Sequence, residues 1–197
     1  MVALRKRAPA RMTLSEFLSW DPGDPTGRTW QLIDGEPVAM APGGETHAAI
    51  QSELARLLGN HLIEQRSPCR VLTELGIVPR VRADRNYRVP DVGVTCATPS
   101  HGLMVADPVL LAEILSPSNE ADTRANIWAY TTIPSVQELL VVHSTRIEAE
   151  LLRRSADGTW PEQPEIIAAD GTLSLASVAF TAPLAALYRT TALAQGA

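Results

Sequence analysis

The sequence predicts a mixed β-sheet flanked by helices, of α/β or α+β class and preceded by an N-terminal β-hairpin. Three observations lead there. Asp34-Gly35 between two apolar runs is a strong two-residue hairpin signal. Ile50, Leu54, Leu57, Leu58 and Leu62 recur at helical spacing. From residue 69 onward, short apolar runs alternate with helical stretches, the pattern of strands and helices layered around one core. The 197 residues are 45% hydrophobic and 20% charged, the balance of a folded globular chain. Their length suits a single domain over 12–197.

The elements follow in order. Residues 12–20 suit a short helix with Thr13 or Ser15 near its start. The hairpin spans 28–41, with Pro37 placing its second arm at an edge. An amphipathic helix over 46–65 follows Pro42-Gly-Gly44, with Thr46 as its cap. Strands are expected at 69–79, 88–96 and 109–115, a helix at 120–131, then strands at 138–144, 146–154 and near 165–168. A helix near 182–189 closes the chain.

Charge narrows the function classes. The net charge is −5, but Arg5, Lys6, Arg7 and Arg11 all precede the first acidic residue. From Met12 onward the chain carries 13 basic and 22 acidic residues, a net of −9. A chain that wraps duplex nucleic acid usually has the opposite sign. The basic stretch 1–11 is expected to be a disordered lead-in, with a nucleic-acid arm as the other reading. It has no apolar segment behind it and so is not a secretory signal. No apolar run approaches the ~18 residues of a membrane span. Cys69 and Cys96 are too few for a cysteine zinc site, and two free thiols in a reducing cytoplasm are expected over a pair.

Several chemistries fail on residue type or spacing. The single lysine is Lys6, so no phosphate-binding Gly-x-x-x-x-Gly-Lys loop exists. Ser116-Pro-Ser118 lacks the glycines of a nucleophile elbow. His47 and His61 lie too far apart on one helix to share a metal. What remains is carboxylates in apolar strands: Asp91 in Val89-Pro-Asp-Val-Gly-Val94, and Glu113 in Leu110-Leu-Ala-Glu-Ile-Leu115. A charge there needs a partner. That partner is either a hard divalent cation bound between the two acids, or an arginine or helix N-terminus for each.

At these residues the chain resembles the PD-(D/E)XK nuclease superfamily. The closer likeness is to its bacterial restriction-endonuclease branch, which carries a Glu-Val-Leu-Ser-Pro-Ser motif. Pro90-Asp91 and Glu113-Ile-Leu-Ser-Pro-Ser118 carry the resemblance. Met12-Thr-Leu-Ser-Glu-Phe17, Leu32-Ile-Asp-Gly-Glu36, His47, Asp122, Tyr130, Ile133-Pro-Ser-Val-Gln-Glu138 and Pro183-Leu184 extend it in order along the body. It implies a restriction-endonuclease-like fold and hydrolysis of DNA phosphodiester bonds by a cytoplasmic protein acting as a homodimer. It also implies Mg²⁺ or Mn²⁺ held by Asp91, Glu113 and the backbone carbonyl of Ile114.

In that branch a helix lysine follows in an Asp-x-x-x-Lys-x-x-x-Tyr frame. Here the frame is Asp122, Asn126 and Tyr130, one helical face with the cation replaced by an amide. Arg124, the nearest cation, points about 200° away. The alternative function is therefore a catalytically impaired binding or regulatory module on the same scaffold. A glycosidase using the two acids would need aromatic cleft walls, and only 5% of residues are aromatic.

Other candidates stand beside the pair. His47, near Gln51 on an apolar helix face, is either a site wall or a core histidine. Glu36 is an exposed residue after the turn, or through the resemblance a site residue. Glu53 is expected to be solvated, and Glu74 is a third carboxylate candidate. Arg80, Arg82, Arg85 and Arg88 form a basic cluster ahead of Asp91, suited to a phosphate backbone or simply solvated.

Overall fold

The computed structural model describes residues 11–195. Apart from Arg11, the lead-in expected at 1–11 lies outside the described residues. α1 (Leu14–Leu18) is set by a capping box: Thr13 accepts from the Glu16 backbone N–H, and the Glu16 carboxylate accepts from Thr13 N–H at 2.7 Å. β1 (Trp30–Ile33) and β2 (Glu36–Ala39) form the hairpin. Its turn puts Asp34 and Gly35 at φ 51° and 87°, the left-handed pair that a two-residue turn requires. Leu32 and Tyr87 exchange both backbone hydrogen bonds, which docks the hairpin on the segment leading to Asp91.

α2 (Glu45–Glu64) starts one residue before the expected Thr46 cap; its N-cap is Gly44, which offers no side-chain bond. The central sheet contains β3 (Arg70–Thr73), β4 (Val92–Thr95), β5 (Pro108–Leu115), β6 (Glu138–His143), β7 (Ala149–Arg153) and β8 (Glu165–Ile167), in that spatial order. β5 and β6 are parallel and joined across α3 (Glu120–Tyr130); every other neighbour is antiparallel. Side chains alternate along β5, so each helix takes one face. Leu110, Ala112 and Ile114 pack with Ile50, Leu54 and Leu58 of α2. Leu111 and Leu115 pack with Ile127 and Tyr130 of α3. The mixed sheet flanked by helices is the predicted fold class.

The structure corrects four local expectations. The strand expected over 69–79 stops at Thr73, because Glu74 adopts φ 49° and turns the chain; beyond it, only Ile77 bridges back, to Arg88. The closing helix is a 3₁₀ segment, Leu184–Tyr188. It follows an unforeseen hairpin of β9 (Thr172–Leu175) and β10 (Phe180–Pro183) that covers the α2 face. Glu53 is buried rather than solvated, bonded to Arg56 and Arg189 at 2.8 and 3.0 Å. Cys69 and Cys96 form a disulfide rather than two free thiols. The β3–β4 register pairs Arg70 with Thr95, and so sets the two cysteines opposite one another.

Candidate active site

Asp91 enters β4 and Glu113 lies within β5. The register places Val92 opposite Ala112, so the preceding Asp91 is level with the following Glu113. They meet in a cavity of about 510 Å³, walled by the β1–β2 hairpin, the start of α2 and the start of α3.

Each acid is held by donors from a different element. Asp91 Oδ2 accepts from the Ile114 backbone N–H at 2.6 Å, and Oδ1 lies 3.1 Å from His47 Nε2. Gln51, one turn on from His47, donates to the Asp91 backbone carbonyl at 3.0 Å. Glu113 Oε1 accepts from the Tyr130 hydroxyl at 2.6 Å and from Asn126 Nδ2 at 3.1 Å. Gly43 leaves room for His47: a Cβ there would lie 2.6 Å from the imidazole.

Among the described residues five acid side chains are buried: Glu53, Asp91, Glu113, Glu138 and Glu150. Three are paired with arginine. Glu53 has Arg56 and Arg189, Glu138 has Arg153 at 2.8 Å, and Glu150 has Arg124 with a 2.7 Å bond. Asp91 and Glu113 have no arginine or lysine partner. Burial and the charge of Asp91 push Glu113 up to about 8, against the pull of Tyr130 and Asn126. Burial pulls His47 down, but its bond to Asp91 and the charges of Asp91 and Glu74 outweigh this and hold it above the usual histidine value.

Two hard oxygen donors side by side, short of positive charge and open to a cavity, fit a divalent cation. Magnesium keeps several waters and needs only one or two carboxylates from the protein. Among the described residues no cluster of three or more His, Cys, Asp or Glu side chains could hold a metal. A cation here would therefore rely on two carboxylates, water and substrate oxygens. The Ile114 carbonyl implied as a third ligand accepts from Asn119 Nδ2 at 3.3 Å.

The remaining candidates separate. Glu36 is exposed on β2, on the same hairpin face as Ile33 but outside the cavity lining. Glu74 is exposed at the cavity rim, not central in a strand. The basic cluster disperses: Arg82 pairs with Asp34 at 2.9 Å and Arg85 with Asp84, while Arg88 turns inward and is buried. Arg88 Nη1 donates to Asn126 Oδ1 at 2.9 Å, a contact that sequence reasoning missed. The alternation of Asn86 and Arg88 with Tyr87 and Val89 was the available signal, since alternate residues of an extended segment share a face. Gln31, which accepts from Val89 N–H at 3.2 Å and lines the cavity, carried no signal beyond its place in the hairpin.

The sequence matches the Uma2 family, described as "Putative restriction endonuclease", over residues 14–184. The chain belongs to the Uma2 family. An uncharacterized protein of Synechocystis sp. is 32% identical over 165 residues, covering 81% of this chain and 84% of the relative. A second uncharacterized protein from that organism is 26% identical over 135 residues, covering 66% and 75%. A crystal structure from Anabaena variabilis, described as a "putative nuclease belonging to DUF820", superposes with a TM-score of 0.71. It is 22% identical, and the match covers 90% of this chain and 97% of that one. The Uma2 assignment and this shared fold agree with the resemblance to PD-(D/E)XK nucleases. Among the described residues no helix is long and apolar enough to cross a membrane.

Proposed function

We propose that this Uma2 protein is an endonuclease that hydrolyses DNA phosphodiester bonds with Mg²⁺ or Mn²⁺ at Asp91 and Glu113. One observation supports it above the others: of the five buried acids, only these two are without an arginine partner, and they sit side by side at the cavity. When bound, the metal supplies an acidified water and stabilises negative charge on the scissile phosphate. The chain's own residues prepare the place. Ile114 N–H and His47 orient Asp91, and Tyr130 and Asn126 orient Glu113. Burial pulls His47 down, but its bond to Asp91 and the charges of Asp91 and Glu74 hold it above the usual histidine value. The hairpin and the two helix starts wall the cavity in which a phosphate chain would meet the two acids.

Plasmid nicking tests the reading. Wild-type protein with Mn²⁺ or Mg²⁺ is expected to nick supercoiled DNA, and EDTA or Asp91→Ala to stop it. Absence of nicking at high protein and low salt would overturn it. A second reading, an impaired nuclease-fold binding module, draws on Asn126 standing where the resemblance places a lysine, with no lysine among the described residues. It predicts DNA retention without nicking, unchanged by Asp91→Ala. The endonuclease reading extends to a single domain over 12–197 working as a homodimer in the cytoplasm; light scattering of the purified chain measures the mass.

A further inference from the structure

We propose that Arg88 is the positioning residue of the acid pair: acting through the Asn126 side chain, it turns Glu113 toward the cation. The inference rests on the metal reading above. Arg88 is the one buried arginine among the described residues, and it makes no ion pair with any carboxylate there. Its Nη1 donates to Asn126 Oδ1 at 2.9 Å and its Nη2 to Asn86 Oδ1 at 3.2 Å, while Nε is buried without an acceptor. A buried acid short of a cation and a buried cation short of an acid are thus joined by a single amide.

That amide can face Glu113 in two ways. Presenting Oδ1 would set oxygen against a carboxylate; presenting Nδ2 donates a hydrogen bond. A guanidinium has donors only, so its contact with Asn126 fixes Oδ1 toward Arg88 and Nδ2 toward Glu113. The Asn126 and Tyr130 bonds then both fall on Glu113 Oε1, and Glu113 also shares a side-chain hydrogen bond with Asp91, the contact that a cation between the two acids would replace. Arg88 is itself held. Asn86 accepts from Asp34 N–H at 3.1 Å and donates to the Val81 carbonyl at 3.0 Å, tying the guanidinium to the hairpin turn. The hydrogen-bonded path runs from the hairpin turn through Asn86, Arg88 and Asn126 to Glu113.

Calorimetric titration of Mn²⁺ into the purified full chain tests this, with a thermal melt of each variant as the folding control. Arg88→Met is expected to weaken Mn²⁺ binding about tenfold, the lower end for an outer-shell partner. Asn126→Leu should do the same, and the double variant should be no weaker than the worse single, because both break one path. Arg88→Lys, which can still donate to Asn126 Oδ1, should recover most of the affinity. Unchanged Mn²⁺ affinity in folded Arg88→Met, or losses that multiply in the double variant, would overturn the proposal. If Arg88→Met does not fold, unchanged affinity in Asn126→Leu or a loss in Arg88→Lys as large as in Asn126→Leu would overturn it. Failure of the wild type itself to bind Mn²⁺ would overturn the metal reading, and this inference with it.

Discussion

Glu113 and Glu150 are both buried carboxylates served by α3, and the helix treats them in opposite ways. Toward β7 it sends Arg124, which with His143 surrounds Glu150 and holds its carboxyl below the usual glutamate value. Toward β5 it sends Asn126 and Tyr130, two neutral donors, and Glu113 is left high beside a second acid. Positions 124 and 126 fall on different sides of the helix because two residues advance about 200° around it. A carboxylate that serves the fold is balanced within the fold. On the proposed metal reading, one left unbalanced in an open cavity is kept for a charge that arrives from outside.

The sharpest break of this comparison is a pair of isosteric changes. Glu113→Gln is expected to lower Mn²⁺ affinity by more than about 100-fold, beyond the range for outer-shell partners. In EDTA near pH 7 its stability should be no lower than wild type, since the Gln carbonyl can accept both bonds that now fall on Oε1 and Gln has no proton to lose. Glu150→Gln should do the reverse. Arg124 and His143 lose a charged acceptor, stability falls by about 1–3 kcal/mol in chemical denaturation, and Mn²⁺ affinity is kept. If Glu150→Gln also abolished Mn²⁺ binding, the division between the two acids would fail.

A second test changes the charge on α3. Asn126→Lys places a cation against the Arg88 guanidinium and removes its Oδ1 acceptor. The single variant should lose about 1–3 kcal/mol, and adding Arg88→Met should return part of it. A single variant as stable as wild type would show that the site takes two cations.

The pH dependence separates the acids by sign. Glu113 is raised to about 8 when folded, against 4.5 as its ordinary value. Between these values the unfolded chain has released the proton that the folded chain keeps, so its contribution is full below about 4.5 and is lost as pH rises through 8. In EDTA the wild type should lose melting temperature relative to Glu113→Gln between pH 6 and 9. Glu150, lowered when folded, gives the opposite trend: its contribution is present above its ordinary value and lost on acidification. The smallest effect is expected from Gly43→Ala, which crowds His47 and should weaken Mn²⁺ binding a few-fold, below the range for outer-shell partners. Indistinguishable titrations would remove His47 from the machinery.

The hairpin, α2, α3, β5 and β6 were legible because each repeats a local pattern over enough residues to decide its type. Asp91 and Glu113 were legible for a related reason: a charge inside an apolar run is conspicuous. The end of β3 was not, since Glu74 takes a left-handed backbone that its residue type does not announce. Glu53 was misplaced because the arginine that helps to bury it, Arg189, arrives from the far end of the chain. The cysteines were judged by count, whereas register alone sets them opposite one another.

By itself the sequence determined the fold class, the two acids in apolar runs and the lack of any lysine in 12–197, because these are properties of residue type and period. Only the tertiary structure decided which charges meet. It turned Arg88 out of an apparent surface cluster and into the interior beside Asn126, and it sent Arg124 to Glu150. Partners of this kind are set by sheet register and helix rotation, which bring together residues from distant parts of the chain and leave no mark in the neighbouring sequence of either one.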